Sequence, residues 1–135
     1  MASRGIRDRV AIVGMGCTPF GEHWDKGPDD LLVDAAYQAY ESAGVEPNDV
    51  DAYWLGTMGS GISGLTLSEP LKIQYKPVTR VENMCATGSE ALRQACYAVA
   101  SGAFDIAIIS CVNDPSRLSR TQRGFAALHP IQGGP

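Results

Sequence analysis

Histidine, cysteine and basic residues are all scarce in this chain of 135 residues. It holds two histidines and four cysteines, and Cys17, Cys85, Cys96 and Cys111 lie far apart, with no C-x-x-C pair and no histidine at metal-ligand spacing. The common zinc frameworks and a disulfide-stapled scaffold are thereby excluded. Eleven Lys and Arg face 15 Asp and Glu, for a formal charge of -4, and no basic run occurs. A surface that neutralises many phosphates is not expected, so nucleic acid is not an expected partner. Long apolar runs are also missing. Val10 to Val13 is too short for a signal-peptide core and far too short to span a bilayer, and the expectation is a cytoplasmic protein with reduced thiols and no membrane contact.

What is present is the composition of one folded domain. Hydrophobic residues make up 44% and charged residues 19%, far from the composition of disorder. The apolar run "RVAIVG", Arg9 to Gly14, predicts a first strand buried on both faces and closed by Gly14 and Gly16. A helix follows over "GPDDLLVDAAYQAYESAG", with Asp29 or Asp30 as cap, Leu31, Leu32, Ala35, Ala36, Ala39, Tyr40 and Ala43 at helical spacing, and Gly44 as terminator. A second strand is expected over Ala52 to Met58 and a short helix over Leu65 to Tyr75, weakened by Pro70. A third, less apolar strand runs over Val78 to Glu82, a helix over Ala86 to Ser101, and a fourth strand over Phe104 to Val112. Tyr37, Tyr40, Tyr53 and Trp54 are assigned to the core. Strands alternating with helices imply an α/β fold, βαβαβαβ in order, with a mostly parallel sheet and helices on its faces. Beyond Val112 the periodicity collapses, so residues 1–112 form the expected folded unit and residues 113–135 an irregular, disordered tail.

The stretch "VENMCATGSEAL", Val81 to Leu92, places Cys85 where a strand ends and a helix rich in small residues begins. A thiol is a weak nucleophile until deprotonated, and a helix start aims unpaired N–H groups and the positive dipole end at it. The small Ala86, Gly88 and Ser89 let a substrate or a neighbouring element approach the sulfur. On position alone the alternative stands equally: Cys85 as a small hydrophobe at a packed junction. The run "NMCATGSEAL", followed by "FDIAIIS", resembles the nucleophile segment of the thiolase superfamily, most closely its sterol carrier protein X type. "VAIVGMGCTPFG" is similar to that family's first strand and loop, and "DLLVDAAYQAYESAGVEPNDVDAYWLGTM" to its first helix and second strand. The resemblance covers Arg7 to Ser110.

The resemblance implies a thiolase-like half, incomplete relative to the family, whose second half carries the activating histidine and another acid/base cysteine. It implies an acyltransferase of the acetyl-CoA acetyltransferase type, with Cys85 acylated by an acyl-CoA substrate for carbon–carbon bond formation or cleavage. The Cys85 backbone N–H would help bind the oxyanion. It implies no tightly bound cofactor, only the coenzyme A thioester as substrate, and no metal. It further implies a homodimer, or association with another thiolase-like or accessory chain, and a place in fatty acid or sterol metabolism, with little turnover from the isolated half. Of the two histidines, His23 is expected at the surface. His129, in "LHPIQGGP", echoes a Gly-His-Pro segment too faintly to receive a role. The composition change after Ser110 suggests a truncated or frame-altered product.

Three other readings compete. A thiolase-like retro-aldolase of steroid side-chain breakdown would share the scaffold. A non-catalytic half-thiolase would associate through the face its other half should cover. Finally, "GSGISG", Gly59 to Gly64, fits G-x-G-x-x-G after a strand, with Glu82 downstream, as in a dinucleotide-binding domain.

Overall fold

The computed structural model describes residues 5–21, 23–59, 61–112 and 123–131. Its elements are strand β1 (Val10–Cys17), helix α1 (Pro28–Ala43), β2 (Ala52–Thr57), a one-turn helix α2 (Leu65–Ser68), β3 (Val78–Val81), helix α3 (Thr87–Ala100), β4 (Ala107–Val112) and β5 (Arg123–Pro130). Single 3-10 turns sit at Pro47–Asp49 and Met84–Ala86. The strands form one sheet in the order β1-β5-β4-β2-β3. β2 pairs in parallel with β3 and with β4, while β5 runs antiparallel to both β4 and β1. Four strands therefore share one direction and β5 opposes them. α1 packs on one face and α3 on the other, a three-layer α/β/α arrangement. Among the described residues no helix is long and apolar enough to cross a membrane.

The largest correction concerns β5. The segment expected to be an irregular tail supplies an inner strand over Arg123–Pro130, with Ala127 and Leu128 fully buried. Ala127 joins the cluster under α1 and Leu128 the cluster under α3, as strand alternation requires. A short strand inserted between two others needs only a few apolar side chains, and Ala127 and Leu128 supply them. Residues 113–122, the rest of that expected tail inside the sheet connection, lie outside the described residues.

β1 also departs from expectation. It is an edge strand rather than one buried on both faces, with Ile12, Val13 and Met15 exposed. Gly14 and Gly16 are not its terminators but lie inside it, because α1 crosses them in backbone contact. A Cβ on Gly14 would stand 2.5 Å from the Ala43 nitrogen, and one on Gly16 2.1 Å from the Ala35 carbonyl oxygen. The stripe Leu32, Ala35, Ala36 and Ala39 is fully buried against this surface.

α1 matches its expected span. Pro28 opens it, Asp30 accepts a hydrogen bond from the Gly27 N–H (2.8 Å), and Gly44 closes it at φ 67°. Asp30 thus caps from the third helical position and not from the N-cap itself. α2 is one turn instead of the expected three: Pro70 lacks an amide hydrogen, and Lys72 and Tyr75 take positive φ. Tyr40, Tyr53 and Trp54 are core residues, but Tyr37 is exposed and meets Tyr40 edge-on at 5.7 Å.

Candidate active site

The C-terminal ends of β2, β3 and β4 lie along one edge of the sheet, because these strands are mutually parallel. Open α/β sheets place ligands at that edge. β3 ends at Val81, and the chain turns through Glu82 and Asn83 into the Met84–Ala86 3-10 turn, which runs directly into α3. Cys85 is the middle residue of this turn and is exposed. Its place at a helix start is the one the sequence reading expected, and in this chain it is exposed.

The turn is tight and backbone-strained. Met84, a residue without glycine's freedom, takes φ 45°, and Asn83 takes φ -154° and ψ 52°. Thr87 is buried, and its hydroxyl accepts from the Asn83 N–H (2.8 Å) and donates to the Met84 carbonyl (2.7 Å). The exposed Glu82 carboxylate accepts from the Met84 N–H. Its partner is therefore the turn's backbone.

α3 reaches the sheet through small residues. Thr87, Ala91, Ala95 and Val99 form its buried stripe. A Cβ on Gly56 of β2 would stand 3.2 Å from the Thr87 methyl and from its carbonyl oxygen, and a Cβ on Gly88 would stand 3.0 Å from the Cys111 sulfur of β4. The glycine after Cys85 thus serves the approach of β4, a neighbouring element, to the start of α3. Arg80 of β3 donates to the Thr57 and Gly61 carbonyls, each at 3.1 Å, tying the loop after β2 to the neighbouring strand.

Electrostatics near the helix start are local. Arg93 and then Gln94 hydrogen-bond Glu90 and hold its carboxyl below the usual range. Burial raises the Cys96 and Cys111 thiols above the ordinary range. Among the described residues, none hydrogen-bonds the Cys85 sulfur. His23 is partly exposed and bonds the Pro19 carbonyl at 2.8 Å, in the loop after β1. β1 and β3 are the two edges of the sheet, roughly 19 Å apart at ordinary strand spacing. His129 lies on β5, opposite Ala11, and bonds the Pro130 carbonyl. Among the described residues, no cluster of three His, Cys, Asp or Glu could hold a metal.

The glycine loop does not form a dinucleotide cradle. It leads into a helix of one turn, too short to offer a phosphate a developed dipole, and a Cβ on Gly61 (φ 102°) would collide with Thr66. The dinucleotide reading falls on that geometry. Sequence reasoning missed Met84, Thr87, Gly56 and Arg80. A glycine inside a strand at Gly56 was the one available signal of close backbone approach.

Comparison with known proteins places these elements. The family model described as "Thiolase, N-terminal domain" matches residues 10–126. The match runs past Ser110, where the sequence reading ended the resemblance, so the composition break there falls within the family's span. An acetyl-CoA acetyltransferase of Methanocaldococcus jannaschii is 41% identical over 113 residues, 79% of this chain and 29% of that protein. The chain thus spans less than a third of that relative's length. Among solved structures, the priming β-ketosynthase of the R1128 polyketide pathway superposes with TM-score 0.75 at 18% identity, over 92% of this chain and 51% of that one. An Ltp2–ChsH2(DUF35) aldolase superposes with TM-score 0.68 at 24% identity, over 78% of this chain and 28% of that one.

Proposed function

Because the chain belongs to the thiolase N-terminal domain family, we propose that Cys85 accepts an acyl group from a coenzyme A thioester and carries it for carbon–carbon bond formation or cleavage. The carrying observation is the exposed Cys85 in a strained turn at the start of α3, on the C-terminal edge of the parallel strands. The Cys85 thiolate attacks the thioester carbonyl carbon, a new carbon–sulfur bond forms, and the bond to coenzyme A sulfur breaks. Coenzyme A leaves as the thiol after taking up the proton the cysteine released. A carbon nucleophile then displaces Cys85 in condensation. In the cleavage direction Cys85 attacks the 3-oxo carbon, the bond between carbons 2 and 3 breaks, the shortened acyl-CoA leaves as its enolate and takes up a proton, and a second coenzyme A thiol then takes the acyl group from Cys85.

A base must lie within reach of the thiol for rapid turnover. Among the described residues none hydrogen-bonds the Cys85 sulfur, which supports placing the base outside them, in a second thiolase-like half or a partner chain. The exposed Ile12, Met15, Met58 and Met84 fit a surface covered in such an assembly. The acyl substrate, a fatty acid or sterol pathway, the dimeric state and a cytoplasmic setting are parts of this proposal. In the related retro-aldolase chemistry no acyl-enzyme forms, so the two readings separate on one measurement.

That measurement is intact mass spectrometry after mixing with acetyl-CoA. A 42 Da adduct in the parent, absent from Cys85→Ala, is expected, even where turnover is negligible. Equal labelling of parent and variant, or no adduct at any pH between 7 and 9, overturns the acyl-acceptor reading.

A further inference from the structure

The side chain closest to directing the Cys85 turn is one that no comparison assigns. Ala86 occupies the N-cap of α3 and offers no side-chain cap. The first polar group of the helix, the Thr87 hydroxyl, turns backwards instead. It accepts the Asn83 N–H at 2.8 Å and donates to the Met84 carbonyl at 2.7 Å, closing a ring around the residue with positive φ. Its methyl packs toward Gly56 of β2, where a Cβ would stand 3.2 Å away, so the hydroxyl is fixed to the sheet and not merely to the turn. Thr87 is 7% exposed, and a buried hydroxyl with both its donor and acceptor used is a rigid anchor.

We propose that Thr87 is a positioning residue for Cys85: its hydroxyl holds Met84 in the left-handed region, and that backbone conformation sets where the Cys85 thiol stands relative to the start of α3. The inference rests on the reading of Cys85 as the acyl acceptor. An unbraced methionine favours ordinary negative φ, and relaxation there rotates the next residue away from its place ahead of the helix. The hydroxyl and the methyl have separable tasks. Thr87→Ser keeps the brace and loses the packing, and Thr87→Val does the reverse.

The test is the rate of Cys85 alkylation by iodoacetamide in the 135-residue chain, resolved by peptide mass, with Cys96 and Cys111 as internal reporters of folding. Thr87→Val should slow Cys85 about tenfold and Thr87→Ser should stay within about threefold of the parent, the scale of losing or keeping two hydrogen bonds. A Val variant that reacts like the parent overturns the proposal. So does a Ser variant as slow as the Val variant, which would assign the effect to packing. Should Thr87→Val expose Cys96 and Cys111 by unfolding, amide exchange in the parent decides. The Asn83 N–H should be protected, and exchange at the rate of a free amide overturns the brace. Failure of acetyl-CoA to acylate the parent, with these alkylation differences intact, would sink the acyl-acceptor reading and leave the role of Thr87 standing.

Discussion

Replacing Gly16 by alanine tests the contact on which the α1 side of the fold depends. A Cβ there would stand 2.1 Å from the Ala35 carbonyl oxygen, 2.7 Å from the Ala39 nitrogen and 2.8 Å from the Gln38 Cβ. Ordinary contact begins near 3.4 Å, so α1 must retreat by roughly 1.3 Å, and two of the three obstacles are backbone atoms that no rotamer change can move. The retreat opens the layer formed by Leu32, Ala35, Ala36 and Ala39, each fully buried. Overpacking a core site costs about 1 to 3 kcal/mol, and a backbone-to-backbone clash belongs at about 3 or above. Against a whole stability of about 5 to 15 kcal/mol, that is a large fraction. Gly44→Ala supplies the control. Gly44 has φ 67° and nothing within 4 Å of an added Cβ, so only left-handed strain of about 1 to 2 kcal/mol is expected. Urea unfolding followed by far-ultraviolet circular dichroism should rank the midpoints parent, Gly44→Ala, Gly16→Ala. A Gly16→Ala midpoint at or above that of Gly44→Ala would refute the close approach of α1 to β1.

Gly88→Ala should change sign with its neighbour. The new Cβ meets the Cys111 sulfur at 3.0 Å, a cost of about 1 to 2 kcal/mol, while alanine gains up to about 1 kcal/mol over glycine in a helix. The substitution should therefore destabilise the parent and stabilise Cys111→Ala, and equal effects in both backgrounds would refute the contact. Alkali should also weaken the fold. Burial, and then the hydrogen bond shared with the Tyr53 hydroxyl at 3.2 Å, raise the Tyr40 hydroxyl far above the tyrosine range, and burial raises Tyr53 as well. In the unfolded chain both ionise near about pH 10, so unfolding releases protons above that point. The stability held below about pH 10 falls as pH rises beyond it. Tyr40→Phe should make the decline of the urea midpoint between about pH 9 and 11 shallower, and an unchanged slope would exclude this pair as its cause.

The elements legible in the sequence were those whose signal is local. α1 shows a helical stripe with a stop at Gly44, and both survive in the structure because Leu31, Leu32, Ala35, Ala36, Ala39 and Tyr40 are buried as their spacing requires. β5 and the edge position of β1 were not legible, since pairing partners depend on where the sheet closes and not on the run itself. "RVAIVG" has the same apolar composition whether its strand is central or at an edge. Its pairing with β5 on one side, at the end of the strand order, shows that here it is the edge. Gly14 and Gly16 read as punctuation because glycine also ends strands, and only the approach of Ala35, Ala39 and Ala43 shows that they are packing surface. At the site, Cys85 was singled out by its place between strand and helix together with the resemblance of "NMCATGSEAL" to a thiolase nucleophile segment. Met84 and Thr87 were not, because a positive φ on methionine leaves no trace in sequence.

These contacts bear on one part of the chemistry proposed for Cys85, the presentation of its sulfur. What presents the sulfur lies within this chain: the brace of Thr87 on Asn83 and Met84, the glycines Gly56 and Gly88 that seat α3 on β2 and β4, and Arg80 that ties the loop after β2 to β3. All of these fall between residues 56 and 111, within the span matched by the family model. Among the described residues, none hydrogen-bonds the sulfur to move protons to and from it. Presentation rests on backbone geometry set by β2, β3, β4 and α3, whereas a base needs only to reach an exposed thiol. It follows that alkylation, which needs an accessible thiol and no base, should report on Thr87, Gly56 and Gly88 substitutions in this chain.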